Sequence, residues 1–215
     1  MKQIDKQYNI YIVDKGIYNN IDVMENTLES FDKALKKNLN IRFEVNYLKD
    51  DSLIVFSSES LEKIFNLKDD IEDYSYQDFL YISKYHIPKF EEVMSMTNNT
   101  IIVYIKEYSS KILKLVEKKL EFYKDRIIIE SLSIKVLKYF KKKEYCVSLL
   151  INNKNKRFLK TFFVPDIYDL EIGLFDDKFI RMFKENFYIM GYFVKNNEEL
   201  MRYKDVYNNL ILEVH

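Results

Sequence analysis

The sequence is short of the residues from which sharp functional signatures are made. It holds one cysteine (Cys146), two histidines (His86 and His215), three glycines, two prolines and no tryptophan. A lone cysteine excludes an intrachain disulfide and any metal cage built of thiolates alone, and it suits a reducing compartment, so a cytoplasmic location is the expectation. With so few glycines there is no glycine-rich phosphate loop, and no Ser-His-Asp order is discernible. A charge of one sign is also missing: 34 Lys and Arg balance 34 Asp and Glu. No global field therefore draws the chain to nucleic acid or acidic lipid, and neither is expected as a partner. No apolar run approaches the roughly 18 residues a membrane helix needs, and Met1-Lys2-Gln3-Ile4-Asp5-Lys6 is too polar for a signal peptide.

Hydrophobic and aromatic residues are present in quantity. At 47% hydrophobic and 16% aromatic, 215 residues are ample for one core, and residues 1–215 read as a single domain. Tyr8 to Val13 is rich in β-branched and aromatic residues and reads as a first strand, ended by a turn at Asp14-Lys15-Gly16. Leu28, Phe31, Ala34, Leu35 and Leu39 then recur at helical spacing, with Asn26 or Thr27 as the N-cap and Glu29 in the first turn.

Ile41 to Tyr47 alternates apolar and polar residues, and Ser52 to Ser57 follows after too short a linker for a helix. The two read either as a hairpin or as a tight extended return. Residues 59–87 read as a small insertion with short helices, and Ile87-Pro88-Lys89-Phe90 places proline at the first turn of the next helix. Thr100 to Ile105 is a near-continuous apolar run, as in a strand buried on both faces. Helices at 109–123, 133–142, 176–185 and 197–204 then alternate with strands at 126–130, 145–151, 187–194 and 209–213. Repeated strand and helix units argue for a parallel sheet, open or closed into a barrel.

Several segments in this order resemble one family. Met24-Glu25-Asn26-Thr27-Leu28 is similar to a Pro-Glu-Asn-Thr-Leu motif, Ile87-Pro88-Lys89-Phe90-Glu91-Glu92-Val93 to Ile-Pro-Thr-Leu-Glu-Glu-Val, and Ile102 to Lys106 to an Ile-Glu-Ile-Lys strand. Ser131-Leu132 stands for Ser-Phe, and Gly191 to Asn196 with Glu198, Glu199 and Met201 resembles a late Trp-Thr-Val-Asn strand and helix. The chain thus resembles the glycerophosphodiester phosphodiesterase family. That resemblance implies a distorted TIM-type (β/α)8 barrel, with shortened loops because 215 residues fall below the roughly 250 typical of such barrels. It also implies cleavage of glycerophosphodiesters by two histidines, as acid and base, and a divalent metal held by carboxylates.

The residues at the family's chemical positions differ from that pattern. His-Arg-Gly becomes Asp14-Lys15-Gly16, Glu-x-Asp becomes Arg42-Phe43-Glu44, His-Asp becomes Ser57-Ser58, and the fourth-strand glutamate becomes Tyr104 while Lys106 is retained. Proton transfer and Lewis acid are removed together. His86 and His215 stand elsewhere and replace neither histidine. The resemblance therefore implies a catalytically inactive relative, with no cofactor expected and an anionic or phosphorylated small molecule as its ligand. Lys15, Arg42 and Lys106 are the candidate anion-binding residues, and for Arg42 the alternative is that it pairs with Glu44 or Asp14 and fills the old metal site. The alternative function is a divergent but active phosphoric diester hydrolase of lipid and glycerol metabolism, which would need Mg or Ca. Basic clusters at Lys138, Lys141, Lys142 and Lys143 and at Lys154, Lys156 and Arg157 read as solvated helix ends and loops.

Overall fold

The computed structural model describes residues 11–214. Its first strand, β1 (Ile12–Ile17), runs straight through Asp14-Lys15-Gly16, where a turn is expected. The turn signal instead makes a bulge: Lys15 and Gly16 take φ of 60° and 83°, and the pairing of β1 with the last strand shifts register between Val13 and Ile17. Gly16 is required there, since a Cβ would sit 2.5 Å from Ser30 Oγ and 2.6 Å from the Ser30 carbonyl carbon. Residues 8–10 of the expected strand lie outside the described residues.

Helix α1 (Leu28–Lys36) is capped by Thr27, whose hydroxyl accepts from Ser30 N while Ser30 Oγ accepts from Thr27 N. Ser30 Oγ also lies 3.1 Å from the Lys15 carbonyl, to which it donates, so the cap and the bulge are tied together. The helix buries Phe31 and Ala34. Next come β2 (Asn40–Tyr47) and β3 (Leu53–Val55), which pair antiparallel with Asn46 opposite Ile54. The hairpin is thus the arrangement adopted.

The insertion consists of α2 (Ser58–Phe65), a 3-10 turn (Ile71–Asp73) and α3 (Tyr76–Ile82). It has a core of its own around Leu48, Ile54, Phe56, Leu61, Phe79 and Ile87. Helix α4 (Phe90–Ser95) starts later than expected: Lys89 is its N-cap and Pro88 precedes the helix, because the Pro88 carbonyl accepts from Val55 N and Lys89 bridges to Ile54 in extended geometry.

The remainder alternates β4 (Ile101–Tyr104), α5 (Ser110–Leu120), β5 (Ile127–Ser131), α6 (Ile134–Lys142), β6 (Cys146–Ile151), β7 (Ile167–Glu171), α7 (Asp177–Lys184), β8 (Tyr188–Val194), α8 (Asn197–Tyr203) and β9 (Asn209–Val214). Strand β7 is absent from the sequence reading. Between β6 and β7 stands only a 3-10 turn (Lys156–Lys160), so no helical period marks the unit.

The sheet runs β1-β9-β8-β7-β6-β5-β4-β2-β3, and β1 also pairs with β2. Apart from β3, every pairing is parallel, so eight strands close into a (β/α)8-type barrel with helices between them. Alternate residues serve two layers. On β2, Ile41, Phe43 and Val45 join the core beneath the helices, while Arg42 and Glu44 face inward. Ile12, Ile102, Leu150, Ile167, Met190 and Ile211 fill the barrel below them.

Candidate functional site

The inward row of β2 puts a guanidinium inside the barrel. Arg42 is 7% exposed, and its neighbours in register are Asp14 on β1 and Ile102 on β4. Arg42 Nη1 donates to Asp14 Oδ1 at 2.5 Å, and Nε donates to Glu130 Oε2 at 2.8 Å. Nη2 donates to the same Glu130 oxygen. The rings of Tyr104 and Phe193 lie 5.4 and 5.2 Å from the guanidinium carbon. Two carboxylates and two aromatic rings thus surround one planar cation, an arrangement that suits arginine's fork and its weak hydration.

Burial disfavours a charged guanidinium here, but Glu130 and Asp14 outweigh it and hold the Arg42 pKa well above its ordinary value. Desolvation raises the Asp14 carboxyl despite Arg42 beside it. A third acid, Asp169 on β7, is fully buried, and burial together with the Glu130 charge pushes its pKa well up. Neither Asp169 oxygen nor Glu130 Oε1 receives a donor among the described residues. Burial beside the Glu130 carboxylate thus favours the protonated form of Asp169. Tyr104 is pushed up to about 12 by burial and by the nearby Glu44, so it stays a neutral phenol.

Above this cluster the other charged groups of the mouth are paired as well. Lys15 Nζ reaches Glu25 Oε1 at 3.1 Å. Glu25 also accepts from Asn20 Nδ2 at 3.3 Å and from the Ser60 hydroxyl. Burial raises the Glu25 pKa, yet Lys15 and these bonds bring it below its ordinary value. Glu44 Oε1 accepts from Ser58 Oγ at 2.7 Å, Ser58 N at 3.2 Å and Asn46 Nδ2 at 3.0 Å. Lys106 Nζ pairs with Glu72 Oε1 of the insertion at 3.0 Å and lies 5.3 Å from the Tyr108 ring. Helix α2 and the turn after it are thus fastened to the mouth at Glu25, Glu44 and Lys106. Ser57 is the N-cap of α2 and makes no side-chain cap bond.

A profile of the glycerophosphoryl diester phosphodiesterase family matches residues 15–209, most of the chain. The chain belongs to that family. No curated protein matches it in sequence. Solved structures share its fold: a glycerophosphodiester phosphodiesterase of Thermotoga maritima is 22% identical, with TM-score 0.77 and 95% of each chain covered. A candidate member from Galdieria sulphuraria is 15% identical, with TM-score 0.79 over 95% of this chain and 93% of that one. An Oleispira antarctica phosphodiesterase, in complex with the product sn-glycerol-3-phosphate, is 12% identical, with TM-score 0.75 over 94% of this chain and 92% of that one.

Among the sequence-derived candidates, the barrel brings Asp14, Arg42, Glu44 and Tyr104 together on its inner wall, with Lys15, Lys106 and Ser57 at its mouth. Of the two partners considered for Arg42, Asp14 is one and Glu44 is not; Glu130 takes the other side. Glu130 and Asp169 are site residues that the motif comparison passes over, and Phe193 lies in the matched segment from Gly191 to Asn196 without being marked as a site residue. For Glu130 a signal existed, since it stands at the inward parity of an isoleucine strand. For Asp169 the signal was fainter: Ile167-Tyr168-Asp169-Leu170 is a β-rich run whose acid no motif marks. The family's metal would need oxygen ligands here. Instead, the three positions that the resemblance gives to metal ligands hold a guanidinium bound on both sides, a carboxylate oxygen with three donors and a neutral phenol, and that donor set does not fit a divalent cation. Among the described residues no three His, Cys, Asp or Glu side chains converge as a metal site. Among the described residues, no helix is long and apolar enough to cross a membrane.

Proposed function

We propose that this glycerophosphoryl diester phosphodiesterase family member is not a hydrolase and that its barrel mouth binds a phosphorylated or otherwise anionic small molecule. One observation carries the first half: the Arg42 guanidinium, fixed by Asp14 and Glu130, supplies the positive charge inside the barrel where the family's chemistry calls for a metal. A guanidinium neutralises carboxylates but does not lower the pKa of a bound water as a Lewis acid does. Histidines at the acid and base positions are replaced by Asp14 and Ser57, and Asp14 is occupied by Arg42.

The ligand class rests on the cations left at the mouth. The side chains of Lys15 and Lys106 are 19% and 26% exposed, so both are reachable from solvent. Each already faces a carboxylate, Glu25 or Glu72. An incoming phosphate would replace one anion by another, so binding in the millimolar range is expected rather than tight capture. The complex of the Oleispira antarctica protein with sn-glycerol-3-phosphate makes a glycerol phosphate the natural first probe.

Thermal melting tests the reading. Millimolar glycerol 3-phosphate should raise the Tm of the wild type and leave Lys15→Ala unmoved, since a ligand that binds only the folded state stabilises it by mass action. Millimolar magnesium should shift neither. A magnesium-dependent rise that disappears in Glu44→Gln would favour the divergent enzyme instead.

A further inference from the structure

Outside the barrel mouth, the outer surface carries a groove of about 390 Å³ between α5 and α6. Leu113, Ile134 and Tyr139 form its apolar floor, and Lys135, Lys138 and Lys142 stand along one side. These lysines are exposed and spaced by three and four residues, so they line one face of α6 over about 10 Å at the helical rise of ~1.5 Å per residue. Lys135 is held by Glu107 at 3.4 Å, whereas Lys138 and Lys142 have no carboxylate partner among the described residues.

We propose that this groove docks a short acidic segment of a partner protein, one that presents apolar side chains to the floor and carboxylates to the lysine row. Charge complementarity selects the occupant. A compact phosphate would need converging cations, and here they are strung in a line. The positive stretch is also bounded: Glu107 closes one end through Ser133 Oγ at 2.9 Å, and Glu117 lies towards the other, accepting from Tyr139 Oη at 3.0 Å and pairing with Lys143 at 3.6 Å. A continuous polyanion such as nucleic acid or an anionic bilayer would run onto both glutamates, while a segment of about two helical turns fits between them. The half-buried Ile134 and Tyr139 at the floor add the non-ionic component that a purely electrostatic patch lacks.

The test uses a fluorescein-labelled synthetic peptide of glutamate and leucine in helical amphipathic order, titrated with the full chain at about 0.15 M salt and read by anisotropy. Binding should weaken at least tenfold in Lys138→Glu/Lys142→Glu and also in Ile134→Ser, and a peptide with serine in place of leucine should bind more weakly. No binding of the leucine peptide, equal binding by the variants, or equal binding of the serine peptide would overturn the proposal. So would tighter binding of a thymidine oligonucleotide, or of phosphatidylserine–phosphatidylcholine vesicles, through the same lysines. The substituted lysines are solvent-exposed, and unchanged far-ultraviolet circular dichroism would confirm that the variants remain folded.

Discussion

Arg42 turns Nε and Nη2 onto a single oxygen of Glu130, Oε2, across 88 residues of sequence, and leaves Oε1 of that carboxylate without a donor among the described residues. Asp14, Glu130 and Asp169 thereby form one buried cluster with Arg42. The cation serves Asp14 and one oxygen of Glu130, while both oxygens of the buried Asp169 are left without a donor among the described residues.

Arg42→Met should be strongly destabilising. It leaves Asp14 and Glu130 buried without a counter-charge, a change that costs about 3–5 kcal/mol when one partner of a buried pair is removed. Urea denaturation of the variant should show that loss, and the double variant Arg42→Met/Glu130→Gln should recover part of it. Arg42→Lys should also destabilise, because a point charge cannot serve Asp14 and Glu130 with a planar fork or lie between the Tyr104 and Phe193 rings. A loss below about 1 kcal/mol for Arg42→Met, as expected of a surface pair, would show that the cluster is not buried as described.

The buried acids set a pH dependence whose sign follows from their shifts. Asp169 and Asp14 have folded pKa values above the ordinary aspartate range, so the native state binds more protons than the unfolded chain at pH values above that range. Their contribution to stability is complete below about pH 4 and is lost as pH rises towards the folded pKa, by up to ~1.4 kcal/mol per pH unit per proton. Glu25, whose pKa is lowered, acts in the opposite sense and loses its contribution as pH falls below the ordinary glutamate range. Asp169→Asn should flatten the fall in stability as pH rises above about 4, which equilibrium unfolding at several pH values would reveal.

Ser58 and Ser60 fasten helix α2 to Glu44 and Glu25. Ser58→Ala/Ser60→Ala should therefore loosen the insertion without unfolding the barrel. The expected cost is about 1–3 kcal/mol, since each alanine leaves a carboxylate short of a donor. Hydrogen exchange should rise in α2 and stay unchanged in β5 and β6.

The sequence made the barrel legible wherever strand and helix periods alternate, from Thr100 to Ile151 above all. It failed at β7, where a 3-10 turn replaces the helix that would have announced a strand, and at Asp14-Lys15-Gly16, where a turn signal serves a bulge. Motif comparison named Arg42, Glu44 and Tyr104 because the resemblance assigns the family's chemistry to those positions. It could not name the partners Glu130 and Asp169, since a contact 88 residues apart leaves no local pattern. Gly16 and Thr27 were legible as punctuation, and the Ser30 hydroxyl that joins them was not.

Hydrolysis of glycerophosphocholine with magnesium, calcium or manganese, followed by release of glycerol phosphate, is the most direct measurement of whether the guanidinium has displaced the family's chemistry. With Arg42 between Asp14 and Glu130, the rate should not exceed that of the metal ions alone. Turnover that scales with protein concentration and disappears in Glu44→Gln would contradict that.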